Sequence, residues 1–130
     1  METLRIIVAE DDSSSRLMMK LGLTGKARKL QMDVEVLLAE DGQEAVDLAL
    51  QGADAAILDI SMPLMDGFEV VRRIREMAGW SDKPVIMLSA NTHVGYKKLA
   101  LEAGADELMV KPVGFEKLLN TINNRKGSGR

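Results

Sequence analysis

Asp59 ends the apolar run Ala55-Ala56-Ile57-Leu58 and is followed at once by Ile60-Ser61-Met62-Pro63 and then Met65-Asp66-Gly67. A carboxylate at the tip of a buried strand, opening onto a loop with Pro and Gly, is placed to react rather than to pack. Other apolar runs end in the same manner: Leu4 to Ala9 in Glu10-Asp11-Asp12, Val85 to Leu88 in Ser89, and Leu108-Met109-Val110 in Lys111-Pro112. Acids, a hydroxyl and an ammonium at the same end of successive strands suit a magnesium ion and a phosphoryl group. Mg²⁺ takes about six oxygens at about 2.1 Å and usually keeps several waters. Strand-end carboxylates and a backbone carbonyl would hold it and leave room for a phosphoryl oxygen. Carboxylates crowded together without a cation repel one another, and the metal and the Lys111 ammonium offset that cost. Asp59 is then the candidate nucleophile, able to form an aspartyl phosphate. Ser89 can donate a hydrogen bond to one phosphoryl oxygen, and Lys111 can pair with another as a point charge.

Such groups meet only if the strands lie side by side. Leu4–Ala9, Val34–Ala39, Ala55–Leu58 and Val85–Leu88 are near-continuous apolar runs, as expected for strands covered on both faces, and Glu107–Val110 is a shorter fifth. Helical periods alternate with them. Ser13 or Ser14 can cap a first helix with Leu17, Met18 and Leu21 on its packed face. Asp41 can cap a second that carries Ala45, Val46, Ala49 and Leu50 and stops at Gly52. Gly67 opens a third with Val70, Val71, Ile74 and Met77, ending near Gly79. A fourth runs from about Val94 to Ala103 and stops at Gly104, and a fifth from about Gly114 to Asn123 carries Phe115, Leu118, Leu119 and Ile122. The segment Gly25–Asp33 reads as a long basic connection at the end of the sheet away from the acids. Alternating strands and helices predict an α/β fold, a doubly wound five-stranded parallel sheet flanked by five helices. In such sheets ligands bind beyond the carboxyl ends of the strands, where Glu10, Asp11, Asp59, Ser89 and Lys111 fall.

Bulk properties narrow the function. A chain of 130 residues suits one domain with one core. A net charge of -3 argues against nucleic-acid binding by bulk electrostatics. No cysteine is present, so there is no disulfide, thiolate metal site or cysteine nucleophile, which fits a cytoplasmic protein. No apolar stretch approaches a membrane span, and Met1-Glu2-Thr3 leads straight into a strand pattern without a signal peptide. The expected division is a domain over 1–124 and a flexible tail over 125–130, where Gly127-Ser128-Gly129-Arg130 also suits a cloning remnant.

In order, the motifs are Ile6-Ile7-Val8-Ala9-Glu10-Asp11-Asp12, Leu58-Asp59-Ile60-Ser61-Met62-Pro63-Leu64-Met65-Asp66-Gly67, Met87-Leu88-Ser89-Ala90 and Val110-Lys111-Pro112. Each alone is weak; together, at strand ends, they are specific. Over about Leu4 to Ile122 the chain resembles the CheY-like receiver domains of bacterial two-component response regulators. The resemblance implies a flavodoxin-like strand order 2-1-3-4-5 and Asp59 as phosphoacceptor. It makes Glu10 and Asp11 the metal-side acids, with Mg²⁺ also held by Asp59 and the backbone carbonyl of Ser61. Ser89 would be the switch hydroxyl and Lys111 the phosphate-sensing cation. Arg16, five residues after Asp11, sets the register of the acidic triplet and leaves Asp12 as a loop residue. The implied partners are a sensor histidine kinase or a histidine phosphotransfer protein as donor. A downstream protein would read the face of the fourth helix, fifth strand and fifth helix. The chain reads either as a single-domain regulator or as a receiver excised from a longer regulator or hybrid histidine kinase, and the Met1 start favours the former slightly.

The chain departs from the family pattern at three places. Most receivers have an aromatic residue three positions before the lysine, where Leu108 stands here. Coupling from phosphate to the outer face would then use other groups, such as His93 or Tyr96. Ser61 and Asn91, each two positions after Asp59 and Ser89, would set how water reaches an aspartyl phosphate. Simpler expectations cover the remainder: His93 on the surface, Trp80 at a loop edge, and a cis bond before Pro112 as in the family. Competing functions fare worse. A phosphatase with an aspartate nucleophile wants a second Asp where Ser61 stands. A flavin carrier wants a phosphate loop where Glu10-Asp11-Asp12 would repel phosphate, and ring-stacking groups in a chain only 3% aromatic. A receiver-like scaffold independent of phosphorylation has Leu108 in its favour and the full set of acids, Ser89 and Lys111 against it.

Overall fold

The computed structural model describes residues 3–63, 65–90 and 94–126. Its elements are β1 (Leu4–Ala9), α1 (Ser13–Lys29), β2 (Val34–Ala39), α2 (Gly42–Gln51), β3 (Ala55–Asp59), α3 (Gly67–Arg75), β4 (Val85–Ser89), α4 (Val94–Ala103), β5 (Glu107–Val110) and α5 (Phe115–Lys126). All neighbouring strands are parallel, in the order β2-β1-β3-β4-β5. This is the flavodoxin-like order that the resemblance implies.

Period-two alternation divides the core into two layers. Ile7, Ala9, Ala56, Leu58, Val85 and Met87 pack with α2, α3 and α4. Leu4, Ile6, Val8, Ala55, Ile57, Ile86 and Leu88 pack with α1 and α5. The central strands are buried on both faces, which is why they read as unbroken apolar runs. β2 has one neighbour and is only partly buried, so the expectation of two covered faces fails at this edge. Asp41 caps α2 by accepting from the Glu44 amide at 2.9 Å, and Asp66 caps α3 by accepting from Glu69 at the same distance.

The first helix differs most from expectation. Asp12, not Ser13 or Ser14, is its N-cap, accepting from the Ser15 amide at 2.9 Å. That bond and the Ser15 hydroxyl hold the Asp12 carboxyl below the usual aspartate range. The helix continues through Gly22 and Gly25 to Lys29, so most of the segment expected as a connection is helical. Gly22 is there for space: a Cβ would come within 2.2 Å of the Phe115 ring. The packed face is Leu23 and Ala27 with Met19 beside them, while Leu17, Met18 and Leu21 are 54%, 66% and 61% exposed. The glycines hid the true phase of the helix. Leu21→Ser is therefore expected to leave stability within about 0.5 kcal/mol of wild type in urea melts. A loss of several kcal/mol would restore the face predicted from periodicity.

Two further expectations shift. Trp80 lies in the connection between α3 and β4 and packs there at 1% exposure, deeper than a loop edge implies. Its Nε1 donates to the Ala49 carbonyl at 3.0 Å and the Lys83 ammonium lies 4.8 Å from the ring centroid. α3 ends at Arg75, before Gly79, and Arg75 donates to the Gly104, Trp80 and Lys83 carbonyls and pairs with Asp106 at 3.0 Å. At the C-terminus α5 carries on to Lys126, and Arg125 pairs with Glu107 at 3.3 Å. The remaining tail positions 127–130 lie outside the described residues, as do Met1, Glu2, Leu64, Asn91 and His93.

Candidate phosphoacceptor and metal site

The same alternation that builds the core aims the site. Continued past the strand ends, it carries Glu10, Asp59 and Lys111 onto the α1–α5 side and Asp11 and Ser89 onto the α3–α4 side. Lys111 Nζ lies 3.0 Å from Glu10 Oε1 and 3.0 Å from Asp59 Oδ2, so one ammonium bridges two carboxylates from different strand ends. The Glu10 and Asp59 side chains are 8% and 13% exposed and Lys111 is 33% exposed. Burial pushes the Lys111 ammonium down. The hydrogen bonds and charges of Glu10 and Asp59 outweigh it and hold the group above the usual lysine range.

Backbone groups fix the carboxylates from the other side. The Asp12 amide donates to Glu10 Oε2 at 3.2 Å, and the Ser61 amide reaches Asp59 Oδ1 at 3.4 Å. Arg16 donates to the carbonyls of Glu10 and Asp11 at 2.9 and 3.0 Å and pairs with Glu40 at 3.4 Å. It clamps the β1–α1 loop, a role the sequence signalled only as a register mark. The Lys111 amide donates to the Ser89 carbonyl at 2.8 Å, which joins the β4 and β5 ends. The Lys111–Pro112 bond is cis, as the resemblance implies. Gly67 closes the loop after Asp59: its amide donates to Ile60 at 2.9 Å, and a Cβ would lie 2.5 Å from the Asp59 carbonyl oxygen. Any larger residue would push that strand end aside.

Glu10, Asp11 and Asp59 each offer a carboxylate oxygen, all within 4.8 Å of one another. An all-oxygen set with this much negative charge fits a hard divalent cation such as Mg²⁺. The site opens in two directions. A cavity of about 440 Å³ runs between α1 and α5 from Glu10, Asp59 and Lys111 past Met18 and Phe115 to Leu118. On the other side a cleft of about 500 Å³ is lined by Asp11, Ser61, Asp66, Phe68 and Tyr96. Neither opening was legible in the sequence, because each joins side chains from several elements. Leu108 is partly buried in the same layer as Phe68 and Tyr96.

Comparison with known proteins agrees with this geometry. The sequence model of the response regulator receiver domain matches residues 6–123. Response regulator MprA of Mycolicibacterium vanbaalenii is 37% identical over 116 residues, covering 88% of this chain and 47% of that protein. MprA of Mycobacterium bovis is 36% identical over 118 residues, 90% of this chain and 48% of the relative. The chain thus spans about half the length of the curated relatives it matches. Among solved structures, the receiver domain of the sensor histidine kinase PA1611 from Pseudomonas aeruginosa, with magnesium coordinated in its active-site cleft, superposes with a TM-score of 0.80 at 27% identity, covering 98% of this chain and 100% of that one. Chemotaxis protein CheY4 of Vibrio cholerae gives a TM-score of 0.78 at 30% identity over 95% of this chain and 98% of its own.

Proposed function

The chain belongs to the response regulator receiver domain family, and on that premise we propose that Asp59 accepts a phosphoryl group from the phosphohistidine of a sensor histidine kinase or histidine phosphotransfer protein. One observation carries the reading: Lys111 bridges Glu10 and Asp59 at 3.0 Å beside a three-carboxylate cluster that includes Asp11. A stabilising ion pair needs only one of these acids beside Lys111; a third carboxylate gathered with them suits a cation and a phosphoryl group. Glu10, Asp11, Asp59 and the Ser61 carbonyl are the residues that would hold Mg²⁺. When bound, the metal neutralises charge on the transferring group. Asp59 supplies the attacking oxygen, and its two neighbours, the Lys111 ammonium and the Ser61 amide, hold that carboxylate in one orientation. Ser89, at the end of β4, is the hydroxyl we assign to a phosphoryl oxygen, and Lys111 takes another.

The chain acts here as a signalling phosphoacceptor that promotes its own phosphorylation and dephosphorylation, rather than as an enzyme. The unit we assign is one receiver that extends to the end of α5 at Lys126, two residues past the boundary expected from the sequence. Its output surface is the α4–β5–α5 face, where Val110 of β5 is 42% exposed and available to a protein partner. No described helix is long and apolar enough to cross a membrane, and we place the protein in the cytoplasm. The reading predicts that incubation with a small phosphodonor and Mg²⁺ adds one acid-stable, base-labile phosphoryl group to the intact mass. A chelator should prevent it. Labelling that is absent, or indifferent to chelator, would overturn the proposal.

A further inference from the structure

We propose that Tyr96, braced by Phe68, is a specificity-determining residue that gives the phosphoacceptor site an aromatic wall for the protonated imidazole ring of an N-phosphoryl donor. The inference rests on Asp59 being the phosphoacceptor and concerns which donors it takes. Phe68 at the start of α3 and Tyr96 in the first half of α4 meet edge to face, with centroids 6.0 Å apart and planes at 62°. The chain has only four aromatic residues, one Trp, one Tyr and two Phe, and two of them are paired at this cleft. Both rings are half-buried, so they present surface to the cleft as well as to the core.

The charge of the cleft selects its occupant. Asp11 and Asp66 line it together with Ser61, Met62, Phe68 and Tyr96, and no basic side chain is among the described lining residues. Asp11 also belongs to the carboxylate cluster, its oxygen within 4.8 Å of that of Asp59, so the cleft adjoins the attacking group. The cation that suits a phosphoryl oxygen, Lys111, stands on the other side of Asp59. In an in-line transfer the phosphorus lies between the attacking Asp59 oxygen and the leaving group, so Lys111 takes a lateral phosphoryl oxygen and the leaving group departs on the side of the acids and π-faces. With Asp11 engaged by the metal, Asp66 and the ring faces still favour a flat cation over an anion.

A phosphorylated imidazole has that character when its second nitrogen is protonated. In the transfer the phosphorus–nitrogen bond breaks and its electron pair returns to the ring nitrogen. A phosphorus–oxygen bond forms from a carboxylate lone pair of Asp59. The second nitrogen keeps its proton, so the ring departs as neutral imidazole and the products are aspartyl phosphate and imidazole. Acetyl phosphate instead presents no ring and releases an anionic acetate into an acidic cleft.

The test is the ratio of second-order labelling rates with N-phosphoimidazole and acetyl phosphate, in Mg²⁺, for the wild type, Tyr96→Leu and Tyr96→Phe. Leucine keeps an apolar side chain, though a smaller one, and removes the π-face; phenylalanine restores the ring. The preference for phosphoimidazole is expected to fall roughly three- to tenfold in Tyr96→Leu, chiefly through a higher apparent KM for that donor, and to return in Tyr96→Phe. An equal fall with both donors makes Tyr96 a packing residue and overturns the inference while leaving Asp59 as acceptor. An unchanged ratio does the same. A wild type labelled by neither donor removes the acceptor reading, and this inference with it.

Discussion

Asp59→Asn is expected to gain no phosphoryl group under conditions that label the wild type. A carboxamide nitrogen and oxygen share one lone-pair system and give no anionic oxygen to attack phosphorus, so the loss should be complete rather than graded. The fold should tolerate the change. Asn is nearly isosteric, and its carbonyl can still accept from the Ser61 amide that now lies 3.4 Å from Oδ1. Lys111 loses its bond to Asp59 but keeps the one to Glu10, each 3.0 Å in the wild type. Removing one of three clustered carboxylates also relieves repulsion. These opposing effects should leave stability within about 1 kcal/mol. Intact mass and a urea melt on the same sample separate the outcomes. An adduct of equal yield in Asp59→Asn would move the nucleophile to another group, and a large loss of stability would mean that Asp59 is primarily structural.

What could be read in advance divides by the range of the interaction. The strands announced themselves because burial on both faces leaves an unbroken apolar run, and the residue after each run is then a strand end. That is why Glu10, Asp11, Asp59, Ser89 and Lys111 could be placed at one rim, and the structure does bring Glu10, Asp59 and Lys111 into contact. Helix phase was harder. Leu17, Met18 and Leu21 follow helical spacing, yet Leu23 and Ala27 face the core. The deciding fact is the Phe115 ring lying over Gly22, a contact 93 positions apart in sequence that no local window contains. Trp80 is a similar case: its burial depends on a carbonyl acceptor at Ala49. The openings on either side of Asp59 are products of packing between elements and leave no mark in any single motif.

Lys111→Ala should separate labelling from its consequence. Asp59 keeps its carboxylate and the acids keep their metal-binding oxygens, so some adduct is expected to form. The conformational response is expected to vanish, because the group that ties β5 to Asp59 across 3.0 Å is gone. Amide shifts in α4 and β5 on adding a phosphate mimic should appear in the wild type and be absent in the variant; equal shifts in both would remove the sensing role. The variant also carries a stability cost. Glu10 and Asp59 are 8% and 13% exposed, and without the ammonium they face each other uncompensated. Lys111 itself is 33% exposed, so water screens part of the loss and about 1–2 kcal/mol is expected at neutral pH. The pH dependence has a definite sign. Because the folded-state pKa of Lys111 is raised, its contribution is fully present below the ordinary lysine value of about 10.4 and disappears as pH rises through the folded value. Wild type and Lys111→Ala should therefore differ at pH 7 and converge only in strongly alkaline solution. Added Mg²⁺ should narrow the gap at neutral pH, since a cation among Glu10, Asp11 and Asp59 takes over the task of compensating their charge. A gap unaffected by Mg²⁺ would place the cost in lost packing of the lysine stem instead of in electrostatics.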